Sequence, residues 1–68
     1  MIDIALFGLG RIGIMHGKNL MRNKDFNLKY VYDIDKNLTK KYSKILKAES
    51  VNNPNIIFKD KKIRAVFI

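Results

Sequence analysis

Gly8-Leu9-Gly10-Arg11-Ile12-Gly13 is the stretch that decides how this chain folds. Its glycines are spaced G-x-G-x-x-G, and an acid, Asp33, stands twenty positions after the last of them. An apolar, strand-like run precedes it (Ile2, Ile4, Ala5, Leu6, Phe7), and a helix-like stretch follows. Asp33 closes a second strand-like run containing Leu28, Tyr30, Val31 and Tyr32. The triplet alone is a weak signal. Set between a strand and a helix, with an acid at the end of the next strand, it reads as the first half of a dinucleotide-binding fold.

The chemistry explains the spacing. Gly8 permits a tight turn as the chain leaves the strand, and Gly10 lets a pyrophosphate approach bare backbone. Gly13 allows close packing of the helix. The N–H groups near Arg11 and Ile12 open the helix, where unpaired donors and the helix dipole favour an anion. Two readings of the Arg11 side chain stand: it adds positive charge to the site, or it lies in solvent. Asp33 is placed to accept hydrogen bonds from the adenosine ribose and to repel a 2′-phosphate, which favours NAD over NADP. The plainer reading is a loop acid or a second helix cap, and Lys36 nearby softens the discrimination. The site expected from the residues is therefore Gly8, Gly10, Arg11, Ile12, Gly13 and Asp33.

Outward from this motif the chain alternates. Residues 2 to 7 suit a central parallel strand with both faces covered. Residues 11 to 22 read as a helix, with Ile12, Met15, Leu20 and Met21 facing the core and Arg11, Lys18 and Arg22 facing water. Gly17 inside that helix costs roughly 1 kcal/mol relative to alanine, and close helix–strand packing would account for it. Residues 27 to 33 read as strand two. Asp35 caps a helix over 36 to 46, with Leu38, Tyr42, Ile45 and Leu46 as its apolar stripe and Lys36, Lys40, Lys44 and Lys47 as its wet face. Residues 48 to 51 form a short third strand. Asn53-Pro54 starts a third, short helix that buries Ile56, Ile57 and Phe58. Lys59 to Lys62 form a charged turn, and a buried fourth strand starts near Ile63.

The fold class is thus α/β, βαβαβαβ: the first half of a Rossmann-type doubly wound parallel sheet, with strand order 3-2-1-4 and the switch point between strands one and four. A complete domain of this kind is about twice as long. Residues 1–68 are accordingly expected to form a partial dinucleotide-binding domain, without its second half or a substrate domain.

Composition narrows the class further. With no cysteine there is no disulfide and no thiolate–metal site. No stretch approaches the roughly 20 apolar residues that span a bilayer, and no secretory signal is visible. A cytoplasmic chain with no membrane partner is the expectation. Fourteen Lys and Arg against six Asp and Glu give a net charge of +8, a balance that also occurs in nucleic-acid binders. Here the lysines are scattered over helix faces and turns and are not interleaved with aromatics, so nucleic acid ranks low as a partner.

Other sites fail on inspection. Gly17-Lys18 does not complete a Walker loop, since Ile12 and Asn19 stand at two required positions. No G-x-S-x-G elbow exists. His16, the sole histidine, has no companion ligands and reads as a packed or half-exposed helix residue. Tyr30, Tyr32 and Tyr42 read as packing or edge residues, and Met15 and Met21 as core.

The run Ile4-Ala5-Leu6-Phe7-Gly8-Leu9-Gly10-Arg11-Ile12-Gly13, with His16 three residues on, resembles the N-terminus of the glucose–fructose oxidoreductase and inositol dehydrogenase family. G-x-G-R-I-G-x-x-H is most similar to inositol 2-dehydrogenase-type members. Tyr32-Asp33-Ile34-Asp35 resembles their strand-two ending, and Asn53 to Phe58 with Ile63 to Ile68 resembles their third helix and fourth strand. The likeness covers the whole chain. One departure is Arg64, where the family commonly has aspartate. The resemblance implies an enzyme that binds NAD(H) and moves a hydride to or from a ring hydroxyl carbon of a polyol or sugar. The family's lysine-bearing Glu-Lys-Pro segment and its substrate domain have no counterpart here, so no catalytic residue is assigned. The alternatives are a non-catalytic nucleotide-binding module and, ranked last, a basic nucleic-acid-binding peptide.

Overall fold

Four strands and three helices alternate along the chain in a computed structural model that describes residues 2–68. β1 (Ile2–Phe7) leads through the glycine loop into α1 (Arg11–Arg22), then β2 (Phe26–Tyr32) and α2 (Lys36–Leu46). β3 (Glu49–Ser50), α3 (Asn55–Lys59) and β4 (Ile63–Phe67) follow. All pairings are parallel and the strand order is β3-β2-β1-β4, the order expected of a Rossmann-type sheet. β1 is central, and Ile4, Ala5 and Leu6 lose essentially all contact with water.

Two apolar layers lie on opposite faces of the sheet. Ile4, Leu6, Leu28 and Val31 pack with Leu9 and with Leu46 of α2, flanked by Ile14 and Leu20 of α1. Ala5 and Tyr30 pack on the other face with Val51 and with Ile57 of α3. The start of α2 follows local chemistry: Asp35 Oδ1 accepts the N–H groups of Asn37 and Leu38 at 2.9 and 3.3 Å. Lys36, Lys40, Lys44 and Lys47 all face solvent. At α3, Asn53 Oδ1 accepts the Asn55 N–H at 2.9 Å, with Pro54 already helical behind it.

Several burial expectations are corrected. Met15 is 60% exposed and Met21 37%, so neither belongs to the core. α1 instead turns Gly17, which is buried, toward the sheet, with Ile14 and Leu20 packed beside it. A Cβ on Gly17 would lie 2.7 Å from Leu46 Cδ1 and 3.0 Å from Leu6 Cδ2, so the glycine lets α1 sit against β1 and α2 at once. That close approach rotates the methionines outward. Ile12, also assigned to the core, has its side chain outside the described residues. On α2, Ile45 is exposed and the inner turn is taken by Thr39 and Leu46. On α3 only Ile57 is buried; Ile56 and Phe58 are exposed, because five residues present a single inward position. β4 is not the buried strand expected: Val66, Phe67 and Ile68 are exposed, since it pairs with β1 alone.

β2 carries a feature that apolar patterning did not foretell. Its register with β1 slips between Ile4 and Ala5, leaving Lys29 as an extra residue. Successive strand residues normally point to opposite faces; a slip of this kind re-aims a side chain. Both Lys29 Nζ and Tyr30 OH reach Asp60 Oδ2, at 2.6 and 2.7 Å, tying β2 to the turn before β4. The hydrogen bonds from Lys29 and Tyr30, then that from the Lys62 amide, hold the Asp60 carboxyl down at about 2 from an ordinary 3.8. The same bonds push Lys29 and Tyr30 upward. An acid whose value is depressed on folding stabilises above its unfolded value and loses that contribution as pH falls through its folded one. Asp60→Asn is therefore expected to melt below the wild-type chain at neutral pH. The gap should shrink below about pH 4 and close near pH 2, as followed by thermal denaturation across that range.

Candidate dinucleotide site

The glycine loop sits at the carboxyl end of β1, where strand order reverses between β1 and β4. In open α/β sheets this switch point is where ligands bind. Gly8 adopts φ +89°, a left-handed conformation that a side chain strains, and its N–H donates to the Tyr32 carbonyl at 2.9 Å. The chain then turns into α1, whose first helical bond runs from the Ile14 N–H to the Gly10 carbonyl at 2.9 Å. A Cβ on Gly13 would collide with the Gly8 carbonyl oxygen and come within 2.8 Å of its carbon. The third glycine thus lets the helix start against the end of the strand, a closer neighbour than the sheet face anticipated.

Gly10 is different. Among the described residues, nothing lies within 4 Å of the place its Cβ would occupy. Among the described residues no side chain caps α1, and no acid stands in its first turn, whereas α2 has Asp35. The amides of a first helical turn have no intrahelical partners, so those of Arg11, Ile12 and Gly13 are left as donors at the positive end of the helix dipole. The open space at Gly10 and the uncapped amides fit a diphosphate.

A cleft of about 650 Å³ opens here, lined by Gly8, Gly10, Arg11, Gly13, His16 and Phe67 among others. Arg11 is exposed and lines this cleft. His16 is exposed, not packed: the inward side of α1 belongs to Ile14 and Gly17, and His16 falls on the side lining the cleft. A second cavity of about 250 Å³, lined by Tyr32, Asp33 and Ile34, shares Phe7, Gly8 and Ile68 with the first. Residues at the carboxyl ends of β4, β1 and β2 thus line one or both cavities. The structure thus brings Gly8, Gly10, Arg11 and Gly13 together, with Asp33 beside them across Gly8.

Asp33 is half-buried and already engaged. Its Oδ2 accepts the Leu9 N–H at 2.7 Å and its Oδ1 accepts the Asp35 N–H at 2.8 Å. Each carboxylate oxygen has two lone pairs, so one on each remains for a hydroxyl. Sequence reasoning missed Thr39, whose hydroxyl bonds the Asp33 backbone. A threonine one turn into a capped helix carries no signal of that kind. Among the described residues, no three or more His, Cys, Asp or Glu lie together as metal ligands, and no helix is long and apolar enough to cross a membrane.

A parallel 3-2-1-4 sheet with helices between its strands is a Rossmann-like α/β fold. The chain belongs to the oxidoreductase family with an NAD-binding Rossmann fold, matching it over residues 2–68. Among solved structures it is similar to a myo-inositol dehydrogenase from Corynebacterium glutamicum, with 32% identity and a TM-score of 0.86, covering 97% of this chain and 20% of that one. It is also similar in fold to GenD2 from gentamicin A biosynthesis, solved with NAD (22% identity, TM-score 0.89, 96% of this chain and 19% of that one). A myo-inositol dehydrogenase from Lactobacillus casei, solved with NAD(H) and myo-inositol, superposes likewise (20% identity, TM-score 0.86, 97% and 20% coverage). The chain spans about one-fifth of the length of each of these proteins. No curated protein matches it significantly.

Proposed function

We propose that this chain binds NAD, holding the pyrophosphate on the amides around Gly10, Arg11, Ile12 and Gly13 and the adenosine ribose beside Asp33. In this reading residues 1–68 are the adenosine and pyrophosphate side of a coenzyme site. They serve an oxidoreductase that exchanges a hydride between NAD and a hydroxyl-bearing carbon of a polyol or sugar. The observation that carries it is the pairing of an unfilled Gly10 position with an uncapped α1. Likeness to the C. glutamicum myo-inositol dehydrogenase supports the polyol class.

When bound, the nicotinamide ring supplies the hydride chemistry. The residues of this chain supply binding and orientation: amides toward the diphosphate, Gly8 and Gly13 to shape the loop, and the free lone pairs of Asp33 toward ribose hydroxyls. The negative charge of Asp33 opposes a 2′-phosphate, which places NADP second. Titration calorimetry of the chain with each coenzyme tests this. NAD is expected to bind more tightly than NADP; heat from neither overturns the reading.

A further inference from the structure

Thr39 is the buried polar residue among the described residues, with 4% of its surface exposed. Its Oγ1 accepts the Asp33 N–H at 3.1 Å. The same hydroxyl has the Asp33 and Asp35 carbonyls as acceptors, both at 3.1 Å. Asp33 in turn reaches the glycine loop: its Oδ2 accepts the N–H of Leu9, the residue between the first two glycines. Leu9 is 1% exposed, and a buried amide needs a partner. That partner is the Asp33 carboxylate. A hydrogen-bonded path therefore runs from the first turn of α2, through the end of β2, into the glycine loop.

We propose that Thr39 is a positioning residue for the dinucleotide loop, acting through Asp33. The hydroxyl fixes the backbone of Asp33 as the chain leaves β2. That fixes the direction of its carboxylate, which holds Leu9 and so sets how the amides after Gly10 face the cleft. Thr39 does not itself line either cavity, and its effect on binding is indirect.

The affinity arm of this proposal rests on the function proposed above; the exchange arm does not. Thr39→Val keeps the buried shape and deletes the hydroxyl, leaving the Asp33 N–H without its acceptor. Thr39→Ser keeps the hydroxyl. In the ligand-free chain, hydrogen exchange of the Leu9 amide, read by NMR against the Val31 amide of β2, is expected to speed up on the order of ten-fold in Thr39→Val. NAD affinity should fall by a similar factor, and Thr39→Ser should restore both. A Thr39→Val chain that melts lower but keeps wild-type Leu9 protection and NAD affinity overturns the proposal, because the hydroxyl is then structural only. Failure of Thr39→Ser to rescue overturns it as well. Should the wild-type chain bind no dinucleotide, the proposed function falls, and the Leu9 exchange still decides whether the path exists.

Discussion

Replacing Gly13 by alanine is expected to lower the melting temperature of the chain by about 10–20 °C. The added methyl has nowhere to go: it meets the Gly8 carbonyl, a backbone group that cannot rotate away. Either α1 moves off the end of β1 or the turn at Gly8 opens, and Gly8 is already held by its bond to Tyr32. Overpacking of this kind costs typically 1–3 kcal/mol, and the backbone obstacle puts this case at the upper end. In a domain of this size each kcal/mol shifts the midpoint by about 4–8 °C. Gly17 provides the contrast. A methyl there meets the ends of the Leu46 and Leu6 side chains, which can turn, and alanine gains helix propensity, so the loss should be much smaller. Circular dichroism melts of both variants distinguish them. A Gly13→Ala chain that melts within a few degrees of wild type would mean that α1 does not start against the Gly8 carbonyl.

Gly10→Val should do the reverse, sparing the fold and removing coenzyme binding. Gly10 has an ordinary backbone conformation, φ −68° and ψ −173°, with open space where a side chain would stand. The fold therefore tolerates the branched residue. A diphosphate does not, because the valine methyls occupy its approach to the amides of α1. Hydrogen bonds to a charged group contribute about 1.5–3 kcal/mol each. Loss of even two lowers affinity for NAD and NADP alike by about 100-fold or more. Calorimetry with both coenzymes beside a melting curve checks this. Unchanged affinity would move the pyrophosphate away from Gly10, and a collapsed melting temperature would show that the position is structurally filled.

The parts of the molecule readable from sequence are those governed by local chemistry. The bounds of β1 and α1 follow from glycine punctuation, and those of α2 from Asp35 at its start. The parallel sheet follows from alternation and the handedness of crossovers, and its order from the glycine motif that marks a Rossmann-type fold. What escaped depends on partners distant in sequence. Met15 and Ile45 carry apolar side chains at helical spacing, but which stripe faces inward is set by where the helix backbone can approach. At α1 that is the Gly17 side. Asp60 reads as one acid in a lysine-rich turn, and only the register slip at Lys29 reveals it as a junction. The site shows the same division. The roles of Gly8 and Gly13 were legible because a left-handed turn and a close backbone approach each demand glycine, while the hold of Asp33 on Leu9 required the ends of two strands to be side by side.

One detail of α1 reaches beyond recognition. This helix begins without the side-chain cap that α2 possesses, so on the proposed reading an anion seated at Gly10 would complete it. Loading and folding would then be linked equilibria. Coenzyme at a hundred times its dissociation constant would add about 2.7 kcal/mol, against a total of about 3–10 kcal/mol for a chain of this length. Survival of the polypeptide against proteases, which cut its opened form, would rise and fall with the pool of free coenzyme around it.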